Sequence, residues 1–180
     1  MGFTISSKQV LQVLHILSWI IFVGVSIEAG SFIFNAIYSV GFNARAADYF
    51  QLQHLFAFDK GHFLVQLLLM TIPGVLKATL FYQIVRLLME KKLDMAKPFS
   101  AAVGRFLFVV SYLALATGCF SHWGAKYAKW LVQQGVTMPS NEVLHLEGAD
   151  VWLFMGVILF VIAHIFKRGI ELQSENELTV

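Results

Sequence analysis

Two charged side chains, Glu28 and Lys77, stand inside long apolar stretches of this 180-residue chain. A charge at the centre of a membrane helix costs about 2.5 to 3.5 kcal/mol on insertion scales, so such side chains usually face the protein interior. At helical spacing, Glu28 shares a face with Asn35, and Lys77 shares a face with Gln66. We predict that all four are inward-facing polar residues, and Glu28 and Lys77 would then suit a small transporter or channel subunit.

A direct ion pair between Glu28 and Lys77 is not expected. At about 1.5 Å per residue, Glu28 lies about 27 Å from the inner end of its helix, and Lys77 about 21 Å from the outer end of its own. Glu28 is thus predicted near the outer boundary and Lys77 toward the inner leaflet. The alternatives to inward positions are interfacial placement of Glu28 and snorkelling of Lys77.

The six histidines allow two cofactor hypotheses. His15 and His164 are predicted near the inner end of the first and last helices, and two histidines on facing helices can hold a b-type haem. A metal site is the second hypothesis, because histidine and carboxylate side chains are common transition-metal ligands. Its candidate ligands are His54, Asp59, His62, His122 and His145. Their spacing matches no standard metal motif, so hydrogen-bonded or interfacial histidines are the alternative to both.

The chain contains no nucleophile elbow, phosphate loop or dinucleotide fingerprint. We therefore expect no enzymatic activity. The formal net charge of +2 predicts no direct binding of nucleic acid.

Four apolar stretches must position these residues, at about 10–38, 63–89, 101–120 and 149–166. Each reaches or approaches the roughly 20 residues that a spanning helix needs. The sequence predicts an all-α membrane protein: a single domain over 1–180, built as a four-helix transmembrane bundle, with a short tail at 167–180. In the second outer loop, Trp123, Tyr127 and Trp130 recur at helical spacing and predict a short amphipathic interfacial helix.

Small residues at seven-residue spacing predict where the helices pack. The helices concerned are the first, third and fourth. Their small residues are Gly24 and Ser31, then Gly104, Ser111 and Gly118, then Ala149, Gly156 and Ala163.

The basic residues predict the orientation, because cytoplasmic loops carry an excess of Lys and Arg. One side of the four-helix layout has eight: Lys8, Arg86, Lys91, Lys92, Lys97, Arg105, Lys167 and Arg168. The other side has four: Arg45, Lys60, Lys126 and Lys129. We predict a multi-pass protein of a bacterial inner membrane with both termini in the cytoplasm.

The chain ends in FKRGIELQSENELTV, and the segment KPFS precedes the third helix. Both features resemble the bacterial membrane-protein family described as domain of unknown function number 2975. The resemblance implies four helices, no established activity, and a small helix-turn-helix regulator encoded nearby as a partner.

The tail is predicted to bind that cytoplasmic partner, with a solvated terminus as the alternative. Its candidate residues are Glu171, Glu175, Glu177, Leu178, Thr179 and Val180. A helix break at Gly169 would separate the tail from the last helix. The leading functional hypothesis is a non-enzymatic membrane sensor or tether. The alternatives are a haem- or metal-binding redox protein and a small transporter or channel subunit, which would need to be a homo-oligomer.

Overall fold

The computed structural model describes residues 7–90 and 100–177, with side chains for 9–90 and 100–175. The elements are α1 (Ser7–Gly41), a 3₁₀ helix (Ala44–Phe50), α2 (Gln53–Phe58), α3 (Lys60–Met89), α4 (Ala101–Gln133) and α5 (Ala149–Glu177). Helices α1, α3, α4 and α5 are long and apolar enough to cross a membrane. This confirms the predicted all-α membrane fold with four transmembrane helices. Lys91, Lys92 and Lys97, used for the orientation, and Leu178, Thr179 and Val180 of the tail lie outside the described residues.

The four long helices pack in chain order, α1 on α3, α3 on α4 and α4 on α5. Across the described residues α1 does not contact α5, so the helices form a row that is open between its first and last members. The short elements and the segment 134–148 lie at one end of the row, which we call the capped end. The opposite end, where α1 and α4 begin and α3 and α5 end, we call the terminal end.

The amphipathic segment after residue 120 is not a separate interfacial helix, and that prediction is wrong. Helix α4 continues without a break to Gln133. Ala128 and Leu131 are buried, whereas Trp123 and Trp130 are exposed. The segment is helical as predicted, but the residues buried against protein are Ala128 and Leu131, not Trp123 and Trp130.

The helix break that the sequence suggested at Gly169 is absent from α5. It runs to Glu177, so the first part of the predicted tail is helical. Gly104 of α4 lets Ile170 approach closely, because a Cβ added there would lie 3.2 Å from Ile170 Cδ1. Residues of α5 beyond Gly169 therefore still pack against α4.

The predicted small-residue seam exists between α4 and α5. A Cβ added to Gly118 would lie 2.6 Å from Leu153 Cγ, and one added to Gly156 would lie 2.7 Å from Leu115 Cγ. The seam predicted on α1 is wrong, because an added Cβ at Gly24 meets nothing within 4 Å.

A single apolar cluster, the cap core, fills the capped end. Its buried members come from α1, α3, α4 and all the connecting segments at that end: Phe32, Ala47, Phe50, Leu52, Leu55, Phe63, Leu67, Met70, Ala128, Leu131, Val136, Leu144 and Leu146. Three left-handed turns direct the connecting segments into it, at Gln51, Gly135 and His145. In each turn, the residue after the left-handed one is buried, and its backbone N–H donates to a carbonyl oxygen five residues earlier. This is a common way to end a helical segment.

Candidate functional site

Glu28, Lys77 and His145 meet at the base of the capped end. His145 Nδ1 lies 3.3 Å from Glu28 Oε1. Lys77 Nζ donates a hydrogen bond of 3.4 Å to the His145 carbonyl oxygen. One residue of the segment 134–148 therefore contacts both charges that stand inside apolar helices, and we call these three residues the charge cluster.

The different depths predicted for Glu28 and Lys77 are wrong. Each depth was measured from the end of its own helix, but α1 and α3 are offset along their axes. A Cβ added to Gly74 would lie 3.3 Å from Ala29 Cβ, so Lys77 stands within about one turn of Glu28. Within the described chain the two side chains form no direct ion pair, and His145 connects them instead.

His145 is held in place by the turn that contains it. Its φ of 54° lies in the left-handed region, which costs a non-glycine residue roughly 1 to 2 kcal/mol. Leu144 and Leu146 on either side are fully buried in the cap core and stabilise this conformation. The imidazole packs edge-on against Phe32, with ring centroids 5.5 Å apart. The strained backbone therefore presents a polar ring at the edge of an apolar core.

Lys77 also connects the cluster to the last helix. Its Nζ lies 6.0 Å from the centre of the Trp152 ring, a cation–π distance, and Trp152 is in the first turn of α5. The cluster remains open to its surroundings, because the side chains of His145 and Glu28 are 42% and 27% exposed. A carboxylate, an imidazole and an ammonium in one accessible cluster can bind an ion or a small polar molecule.

The other two polar candidates have different environments. Asn35 is buried, donates from Nδ2 to the Ala46 carbonyl and accepts from the Ser39 hydroxyl, so it anchors the 3₁₀ helix to α1. Gln66 is fully buried on α3. Neither its amide nitrogen nor its amide oxygen has a hydrogen-bond partner in the described part of the chain.

The structure does not bring the predicted haem ligands together. His15 is on α1 and His164 on α5, which do not touch in the described residues. His164 packs edge-on against Phe108 and Phe160, at centroid distances of 5.1 and 4.7 Å. The sequence placed both histidines near the same end but could not show that their helices are separated.

The predicted metal ligands are also dispersed. Among the described side chains, no group of three or more His, Cys, Asp or Glu residues could hold a metal ion. Asp59 Oδ1 accepts a 2.8 Å bond from the His62 backbone N–H and caps α3. His62 Nδ1 lies 2.6 Å from the Tyr127 hydroxyl. His54 and His122 are exposed, and His145 belongs to the charge cluster.

The tail residues lie at the terminal end, far along α5 from the charge cluster. Glu171 accepts a 3.0 Å bond from Arg168, and Glu175 is exposed. Glu177 lies in the last turn of the helix, and its side chain is outside the described part.

Two members of the site were missed from the sequence. His145 was proposed only as a metal ligand, and Trp152 was not proposed at all. One signal could have found His145. It sits in the run Val-Leu-His-Leu, which is apolar although it lies between turn and acidic residues. Such a run in a connecting segment indicates burial and closeness to the helices.

The family comparison matches residues 41–180, more than half of the chain, with the family described as Protein of unknown function (DUF2975). The chain belongs to this family. The resemblance identified from the C-terminal motif is thereby confirmed. No curated protein and no solved structure matches the chain. Lys77, His145 and Trp152 lie within the matched residues 41–180, whereas Glu28 precedes them.

Proposed function

We propose that this DUF2975 protein is a non-enzymatic sensor of a bacterial inner membrane that acts with a cytoplasmic regulator. The observation that carries the proposal is the continuity of α5. Its 29 residues span about 43 Å, more than the roughly 30 Å of a bilayer core. It begins beside the charge cluster and ends in the acidic tail. One continuous helix therefore joins the charge cluster to the opposite side of the membrane.

The basic residues support an orientation with the terminal end in the cytoplasm. Arg86 and Arg105 lie near helix boundaries at that end, and Lys167 and Arg168 lie in the half of α5 that leads to it. Lys91, Lys92 and Lys97 follow α3 in the sequence and add to this excess. The capped end and the charge cluster then face the cell envelope.

The input would act through the segment 134–148. Glu28 and Lys77 hold His145 by its ring and its carbonyl. An ion or polar molecule that binds Glu28 or Lys77 competes with these contacts. Ala149, the first residue of α5, is four positions after His145. Release of the segment would therefore shift the start of α5 and, through the helix, its acidic end.

The output would be a contact between the tail and a small helix-turn-helix regulator, the partner that the family resemblance implies. Glu171 and Glu175 present an acidic helical surface of the kind that a basic groove binds. The protein itself would make no contact with nucleic acid.

Deletion of Gln173 to Val180 tests the output. The truncated chain keeps Ile170 and its close approach to Gly104 of α4, so its melting temperature in detergent should be nearly unchanged. Its binding to the purified regulator should fall. If the truncated protein unfolds, the tail is structural; if binding persists unchanged, the tether is contradicted.

Coupling between the two ends is tested with Glu28→Gln. The label is a cysteine introduced at Ser174 in a Cys119→Ser background, and the readout is its rate of modification. Glu142→Gln is the matched control, because Glu142 is exposed and lies in the same turn as His145. We expect Glu28→Gln to change the rate and Glu142→Gln to leave it unchanged. Equal rates in both variants would contradict sensing through α5.

Transport is a second candidate, favoured by the convergence of Glu28 and Lys77 on His145. Charges inside membrane proteins often mark ion or solute paths. Ion flux through proteoliposomes that Lys77→Met abolishes would establish this function in place of sensing. The redox alternative has no comparable geometric support, since His15 and His164 are on separated helices. A Soret band in the purified protein would restore it.

A further inference from the structure

A pocket of about 220 Å³ lies between α3 and α4 at the terminal end, apart from the charge cluster. Two arginines, Arg86 and Arg105, line it from the two helices. Leu87, Phe106 and Val109 also line it. The pocket thus combines guanidinium groups with an apolar wall in one open groove.

The depth of the pocket matches the boundary between lipid head groups and acyl chains. Arg86 is three residues before the end of α3, and Arg105 is four residues after the start of α4. Val109 lies about 12 Å along α4 from its first residue. The charged part therefore lies near the helix ends, with Leu87 beside it. Phe106 and Val109 of α4 extend from Arg105 toward the membrane centre, together with Gln83 of α3.

The charge balance favours an anion. Arg86 Nε donates a 2.7 Å bond to Glu90, whose side chain also lines the pocket. Arg105 Nε makes a 3.4 Å bond to the Ala101 carbonyl of its own helix. Among the described lining residues, two guanidinium groups against one carboxylate leave one net positive charge. A guanidinium has five N–H donors in a planar fork that matches phosphate oxygens.

We propose that this pocket binds the phosphate head group of an anionic phospholipid, with an acyl chain along Leu87, Phe106 and Val109. Basic pockets between transmembrane helices are suited to such head groups. The acyl chain of a lipid would contact the apolar wall beside the arginines, whereas a free phosphate would not. The bound lipid would link α3 to α4 where the chain leaves the membrane, independently of the proposed sensing role.

The test compares two double variants of the full-length protein. Arg86→Gln with Arg105→Gln removes the pocket charges. Lys167→Gln with Arg168→Gln removes two charges from α5 at the same end, and Arg168 pairs with Glu171 much as Arg86 pairs with Glu90. Both pairs change the net charge equally. Each protein is titrated in neutral detergent with phosphatidylglycerol, phosphatidylcholine or inorganic phosphate, and melting temperature and retained lipid by native mass spectrometry are recorded.

We expect phosphatidylglycerol to raise the melting temperature saturably, with phosphatidylcholine weaker by about tenfold or more. The pocket variant should lose this response, and the α5 variant should keep it. Equal loss in both variants, or an equal response to phosphatidylcholine, would overturn the proposal. A full response to inorganic phosphate alone would identify a soluble anion site and overturn the lipid assignment. If the double pocket variant does not fold, Arg105→Gln alone decides, because Arg105's described bond is to its own helix.

Discussion

The capped end and the terminal half of this protein are held together in different ways. The capped end buries thirteen apolar residues in one cluster, among the residues that the structure describes. In the terminal half, the cluster of described residues has Leu80, Val110 and Ala114 as its buried members. Apolar burial drives association in water. It does not do so in lipid, where close packing of small residues takes over. The difference indicates that the capped end is built for an aqueous boundary and the terminal half for the bilayer.

The largest effect is expected in the cap core. Phe63 is fully buried and contacts Phe56, whereas Phe34 of α1 is 63% exposed. Phe63→Ala should lower the free energy of unfolding by about 3 to 5 kcal/mol. Phe34→Ala should change it little, because the removed ring was not packed in a core. Melting temperatures in detergent measure both effects. Similar losses of stability in the two variants would contradict the distinction between a packed cap core and a lipid-facing surface.

An intermediate effect is expected at the seam between α4 and α5. A Cβ at Gly118 would lie 2.9 Å from the Ala149 carbonyl oxygen as well as close to Leu153, so Gly118→Val must move α5. We expect a loss of about 1 to 3 kcal/mol. Gly24→Val is the control, since its position is open. If Gly24→Val were the more damaging change, α1 would have a packing partner that the described contacts do not show.

A smaller effect is expected for Lys77→Leu. The lysine makes one long hydrogen bond and one distant cation–π contact. Their loss should destabilise the protein by about 1 kcal/mol or less. Lys126→Leu, an exposed lysine of α4, is the control for added apolar surface. A higher melting temperature for Lys77→Leu than for the wild type would favour snorkelling over a bound interior charge.

The helices could be predicted because each is an unbroken apolar stretch, a property local in sequence. Two helix ends could not. Trp123 to Trp130 have the same period whether their helix lies on lipid or continues α4, and Gly169 permits a break without requiring one. The meeting of the charge cluster was also beyond prediction, because Glu28, Lys77 and His145 come from three distant parts of the chain and the apolar run around His145 indicates only its burial. Their meeting depends on the offset of α1 against α3 and on a buried connecting segment, and neither leaves a periodic signal.

The central claim is that the capped end faces outward and α5 carries its state to the cytoplasm. Cysteine labelling in a Cys119→Ser background tests this most directly. Gln133→Cys places a thiol at the exposed end of α4, and Ser174→Cys places one on the exposed end of α5. With a membrane-impermeant maleimide on intact cells, we expect Gln133→Cys to react at once and Ser174→Cys only after permeabilisation. Labelling of both thiols from the same side, or of Ser174→Cys alone in intact cells, would contradict the account.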